Sequence, residues 1–160
     1  MLWVTGDAPS ITVKDNKVKA LRVEIENAAK DIVVENNIFS GSVTDGNAYN
    51  AYIVAKTSGY DLTVKGNTFA GAGSHALHVQ GNNGYANNIT VTSNTFNSYG
   101  KGKAAFKIWG DTKYAPTLNA NLNEAAQTLV NSIRASNTFD NGLDSTCVLA
   151  DFYGTKVPRN

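Results

Sequence analysis

Short stretches in which apolar and polar residues alternate recur along most of the chain, which is the period of a strand with one buried face. One such stretch returns five times. It reads Ile11-Thr-Val-Lys-Asp-Asn16-Lys-Val18, then Ile32-Val-Val-Glu-Asn-Asn37-Ile-Phe39, Leu62-Thr-Val-Lys-Gly-Asn67-Thr-Phe69 and Ile89-Thr-Val-Thr-Ser-Asn94-Thr-Phe96. The fifth copy, Ile133-Arg-Ala-Ser-Asn137-Thr-Phe139, is one residue short or bulged before its Asn. The common form is apolar-x-apolar-x-x-Asn-x-aromatic or Val, which predicts a strand, a sharp bend and a second strand.

A further strand-like segment precedes each copy: Leu2 to Val4, Val23 to Ile25, Ile53 to Ala55, Leu77 to Val79 and Phe106 to Ile108. A sixth, Cys147 to Leu149, has no full partner after it. From the first apolar residue of these segments to the Asn, the offsets are 14, 14, 14, 17 and 31, while successive Asn residues are 21, 30, 27 and 43 apart. Constant strands joined by loops of varying length describe one coil repeated. No single coil can bury its apolar face alone, so the coils stack in parallel, about 4.8 Å apart. Like residues then form columns: Ile11, Ile32, Leu62 and Ile89; Val13, Val34, Val64 and Val91; and Val18, Phe39, Phe69, Phe96 and Phe139. Asn16, Asn37, Asn67, Asn94 and Asn137 form a structural ladder at the bend. The bend needs a residue that tolerates the left-handed conformation and bonds locally, and an amide side chain bonds the neighbouring turn as well.

On these residues the chain resembles the right-handed parallel β-helix of the pectate-lyase-like superfamily, and the resemblance runs from residue 2 to about residue 150. It implies an all-β fold of about five to six coils in a single domain, residues 1–160, as a segment of a larger protein. It implies little about activity, because that superfamily includes lyases, hydrolases, adhesins and phage proteins.

One stretch breaks the period. Leu118, Leu122, Ala125, Ala126, Leu129 and Val130 have helical spacing, with Pro116 and Thr117 before them and Asn131 as a candidate end. We expect one amphipathic helix over roughly residues 119–131, in a loop insertion of about 113–131, packed on the coil surface.

Composition narrows the classes. The chain has 20 Asn, 15 Thr and 14 Gly in 160 residues, and these are poor helix formers, which disfavours a helical bundle. Apolar residues make up 42% and charged residues 17%, which disfavours disorder. A net charge of +1 provides no field for nucleic acid or anionic lipid. The longest plainly apolar run, Ala51 to Ala55, predicts no membrane insertion. Cys147 is the only cysteine, so no internal disulfide framework exists, and it is expected to be a buried thiol. Low Cys and Met content suits an extracellular or cell-surface setting, and the parent protein is expected to be bacterial. The start Met1-Leu-Trp-Val4 carries no signal peptide, which an exported parent would have lost.

In the resembled superfamily, sugars bind on the outer face of the sheet that here begins each coil. Alternation places Trp3, Glu24, Val54, His78, Lys107 and Val148 in one outward column. Thr5, Glu26, Lys56, Gln80, Trp109 and Ala150 flank it on one side, and Arg22, Tyr52, Ala76 and Ala105 on the other. The candidate ligand-binding patch is Tyr52, Lys56, His78, Gln80, Lys107 and Trp109, with His75 and Asp111 at its loops. Aromatic faces and a few hydrogen-bonding groups suit sugar rings, and two cations suit an acidic sugar. The competing reading is an ordinary solvated sheet face.

No catalytic residue is expected. If the chain were a uronate lyase, Lys107 would be the base and calcium the cofactor. Glu24 and Glu26 lie at least three coils from Lys107, about 14 Å or more, so the acids do not gather for calcium. The clustered Asp residues of a polygalacturonase-type hydrolase are replaced by Val54, His78 and Lys107. His75 and His78 lack an obvious third ligand, so no metal site is expected. Thr12, Thr63 and Thr90 form an outward column, but Lys14, Glu35, Lys65 and Thr92 beside it spoil a flat threonine array. The expected function is a non-catalytic adhesive or carbohydrate-binding module, with polysaccharide or a cell-surface glycan as partner. The alternatives are a polysaccharide lyase or its remnant, and a structural spacer that self-associates end to end.

Overall fold

The computed structural model describes residues 2–4, 10–26, 31–43, 51–56, 61–70, 75–81, 89–97, 106–110, 131–139, 148–152 and 155–158. These residues are nearly all strand and build three sheets. The first sheet has seven strands in the order β1 (Leu2–Val4), β4 (Val23–Glu26), β7 (Ala51–Lys56), β10 (His75–Gly81), β13 (Phe106–Gly110), β15 (Val148–Phe152) and β16 (Thr155–Pro158). The second runs β2 (Ile11–Lys14), β5 (Ile32–Glu35), β8 (Leu62–Lys65) and β11 (Ile89–Thr92). The third runs β3 (Lys17–Lys19), β6 (Ile38–Ser40), β9 (Thr68–Ala70), β12 (Thr95–Asn97) and β14 (Thr138–Phe139). Every described pairing is parallel except β15 with β16. The chain visits the three sheets in turn, an arrangement compatible with a parallel β-helix.

The expected columns form in the expected register. Ile11, Ile32, Leu62 and Ile89 align, as do Val13, Val34, Val64 and Val91. In the third sheet Phe39, Phe69, Phe96 and Phe139 stack, with ring centroids 5.2, 5.2 and 5.0 Å apart. Phe39, Phe69 and Phe96 are fully buried. Offset aromatic stacks of this spacing add to the burial of their faces.

The asparagine ladder runs the length of the described stack. Oδ1 of each later Asn accepts two bonds from the one before, its backbone N–H and its Nδ2. These bonds measure 3.1 and 3.0 Å from Asn16 to Asn37, and 2.9 and 3.0 Å from Asn37 to Asn67. They measure 2.9 and 3.0 Å from Asn67 to Asn94, and both are 2.9 Å from Asn94 to Asn137. Each later Nδ2 also donates back to the preceding coil, to the carbonyls of Val13, Val34, Val64 and Val91. Asn37, Asn67 and Asn94 are buried, so these bonds satisfy groups that water cannot reach.

Three expectations are corrected. The left-handed residue of the bend is the one before the ladder Asn: Asp15, Asn36, Gly66 and Ser93 have φ between 55° and 63°. The two demands on the bend are thus divided between two adjacent positions. Next, the fifth copy does not supply a fifth strand to the second sheet. Residues 131–136 form a helix, α1, so Asn131 lies within a helix and does not end one. The physical reason is that Ile133, the copy's one large apolar residue before its Asn, is followed by no second one to alternate with it. Ile133 is fully buried, and the Ser136 carbonyl accepts the Ser93 N–H at 2.5 Å, where Glu35, Lys65 and Thr92 serve the earlier coils. The rest of the expected insertion, residues 113–130, lies outside the described residues.

Finally, the sixth segment is three residues out of the expected register. Ala150 pairs with Phe106, Asp151 with Lys107 and Phe152 with Ile108. A shift by an odd number exchanges the faces. Val148, Leu149 and Ala150 are apolar on both faces, so alternation alone does not choose. The antiparallel partner does, pairing Asp151 with Lys156.

Candidate functional site

The outer column of the seven-stranded sheet is the candidate site. Parallel register places Trp3 beside Glu24, Glu24 beside Val54, Val54 beside His78, and His78 beside Lys107. Asp151 follows Lys107 in the place expected for Val148. In the flanking column Glu26 pairs with Lys56 and Gln80 with Trp109. Period-2 alternation along β10 and β13 therefore gathers His78, Gln80, Lys107 and Trp109 on one face of two adjacent strands. The side chains of Lys56, Gln80, Lys107 and Trp109 lie outside the described residues, as do Thr5, Ala105, Asp111 and Cys147.

Tyr52 is corrected. It is fully buried, where an exposed place on the sheet face was expected. Its ring packs 5.5 Å from Phe39 and 6.1 Å from Phe69, and its hydroxyl donates to the Gly41 carbonyl at 2.5 Å. The residue sits at the start of β7, where the chain enters from the third sheet, and the ring turns into the aromatic stack at that corner. Burial pushes its phenol up to about 12.

The middle of the outer column is also covered. Glu24, Val54 and His78 are buried, at 4%, 0% and 2% exposure, and so is Ala76. An open, solvated face was expected there. Glu24 meets its burial with a cation, since Arg22 Nη2 lies 2.7 Å from its Oε2. A paired carboxylate held this way is not available as a general acid or base without breaking a largely buried ion pair. Trp3, at the edge, remains 57% exposed.

The second sheet turns an open face to solvent. There Lys65 Nζ lies 2.7 Å from Glu35 Oε2. The hydrogen bond from Lys65 holds the Glu35 carboxyl below its ordinary 4.5; desolvation opposes this, and the charges of Lys65 and Lys14 reinforce it. Thr12, Val33, Thr63 and Thr90 align on this face, so the threonine column is interrupted by a valine.

Among the described residues no three His, Cys, Asp or Glu side chains gather to hold a metal ion, and no helix is long and apolar enough to cross a membrane. Sequence reasoning missed Asp151 as the neighbour of Lys107. Its signal was the opposite charge of Asp151 and Lys156, which suits facing positions of an antiparallel pair rather than a continuing coil. The chain matches no protein-family model, no curated protein and no solved structure.

Proposed function

We propose that the chain is a non-catalytic module of a secreted or cell-surface, bacterial protein that binds a polysaccharide or surface glycan. Its fold on this reading is a right-handed parallel β-helix of the pectate-lyase-like kind, one domain of five to six coils. The hand follows from the rule that parallel strands joined by crossovers are almost always connected right-handed. The observation that carries the binding reading is the register of β10 on β13, which sets His78 beside Lys107 and Gln80 beside Trp109. An indole, an amide and a cation on adjacent rungs supply the flat apolar surface and the polar rim that a sugar ring needs. With Tyr52 and His78 buried, the binding residues are Lys56, Gln80, Lys107 and Trp109.

The test is a panel of neutral and uronate-containing polysaccharides, with and without calcium, read for binding and for the ultraviolet absorbance of an unsaturated product. Binding without product, weakened about tenfold by Trp109→Ala, is the expected result. Absence of binding across the panel would leave a structural spacer.

One observation favours a second reading. Asp151 adjoins Lys107 in register, with His78 on the other side, so a base candidate has a carboxylate and an imidazole position as neighbours. On this reading the chain is a polysaccharide lyase in which Lys107 takes the proton α to the uronate carboxyl while the β C–O glycosidic bond breaks, a C=C bond forms and the leaving oxygen takes a proton from water; calcium, with Asp151 as the nearest carboxylate position to hold it, would acidify the α-proton. An unsaturated product that disappears in Lys107→Ala would establish it.

A further inference from the structure

The exposed large apolar side chains of the described residues gather at one end of the stack. Leu2, Trp3 and Leu21 are 48%, 57% and 51% exposed, and the fourth, Ile38, lies one coil further in. A cavity of about 340 Å³ at that end is lined by Leu2, Val13, Asn16, Val18, Leu21 and Val23, among others. Here the first strand of each sheet, β1, β2 and β3, presents an edge with no described strand beside it. Such edges are templates for strand addition.

Two observations say what fits. The first is the ladder. Oδ1 of Asn37, Asn67, Asn94 and Asn137 each accepts a backbone N–H and an Nδ2 from the Asn before it. Asn16 gives both of those donors to Asn37, and its own Oδ1 receives neither from any described residue. The second is charge. Lys14, Lys17 and Lys19 are exposed on the same edge, and no described carboxylate lies within ion-pair distance of them. In the second sheet Lys14, Glu35 and Lys65 follow one another in register, so an acidic residue continues the alternation beyond Lys14.

A second copy does not meet both demands. Two copies joined by this end would set lysines against lysines, and like charges on facing strands repel. Joined head to tail, the copies would not match, because the first sheet ends in antiparallel β16 and the second is followed by α1.

We propose that this end takes an acidic strand–turn–strand segment of a partner protein as an added parallel layer, its turn Asn donating to Asn16 Oδ1 and its carboxylates lying over Lys14, Lys17 and Lys19. The apolar residues of the added layer cover the cavity. This surface is separate from the outer column of the first sheet, so it stands whether or not that column binds a glycan.

The experiment is a titration of the whole chain, followed by amide NMR shifts, with the peptide Ile-Thr-Val-Glu-Asn-Asn-Glu-Val-Glu. It copies residues 11–19 with glutamate for the three lysines and Asn for Asp15. The control peptide keeps the lysines. Shifts over residues 11–23 with the glutamate peptide, and binding about tenfold weaker with the lysine peptide, are expected. In the chain carrying Lys17→Glu and Lys19→Glu the preference inverts; Lys14 is retained there, beside Glu35, so the fold is not disturbed. Equal binding of the two peptides, binding of neither, or shifts mapping elsewhere would overturn the proposal. So would a concentration-dependent dimer of the chain alone with its contact at Leu2, Trp3 and Leu21, which would make a second copy the occupant.

Discussion

Asn67 is held on both sides. Its Oδ1 accepts from Asn37, and its Nδ2 donates to the Val34 and Lys65 carbonyls and to Asn94. Asn67→Ala therefore leaves the buried backbone N–H of Asn37 without its acceptor and takes one bond each from Asn37 Nδ2, the Val34 and Lys65 carbonyls and Asn94 Oδ1, and each buried group left unpaired costs about 1–3 kcal/mol. Asn16→Ala removes only the two Nδ2 bonds, to Asn37 Oδ1 and to the Lys14 carbonyl, at an exposed position, and keeps the backbone N–H bond to Asn37. We expect Asn67→Ala to lose about 3 kcal/mol or more in denaturant unfolding and Asn16→Ala about 1 kcal/mol. Tyr52 gives a pH prediction. Its phenol is neutral below its pKa, and the folded value of about 12 lies above the ordinary 10.0. The resulting stability is fully present below pH 10 and is lost as pH rises towards 12. Alkaline unfolding should follow tyrosinate absorbance in that window, and Tyr52→Phe should remove that part of the transition. Loss of the bond to Gly41 should cost the variant about 1 kcal/mol at neutral pH.

Among the elements, the third sheet is the most legible. Five three- or two-residue strands carry Val18 and four Phe residues at one offset from the ladder Asn, and the structure stacks them in that order. Phe69 stacks on Phe39 and Phe96 and lies near Tyr52. Phe69→Ala is expected to cost about 3–5 kcal/mol in thermal or denaturant unfolding, because neighbours held on both sides cannot collapse into the gap. The candidate site was less legible. Alternation placed Trp3, Glu24, Val54, His78 and Lys107 in one column, which the register reproduces. It could not say that the outer face is covered at Glu24, Val54 and His78, since alternation separates two faces but does not say which of them meets water.

On the scale of the molecule, each coil contacts its neighbours, and stability is a sum of coil and interface contributions. The middle coils have partners on both sides, whereas the first coil has described neighbours on one side only. Amide hydrogen exchange should therefore be slowest at Val34 and Val64, in the interior strands of the second sheet, and faster at Leu2–Val4 and Lys17–Lys19. Equal protection throughout would mean that the stack opens only as a whole, or that a partner already covers the exposed end.

The amino-acid sequence by itself determined the strand, bend, strand unit, its stacking columns and its asparagine ladder. It could do so because a period of two and a constant offset to Asn admit one register, and any one-residue slip would bury lysines and expose valines. Tertiary structure alone decided the rest. Tyr52 left the sheet face because a corner brought the Phe39 and Phe69 rings within reach. Asp151 joined Lys107 because a hairpin, and not alternation, fixed β15. Residues 131–136 became a helix because the place beside β11 had to be filled by a segment with one apolar anchor, Ile133, and no alternation to make a strand.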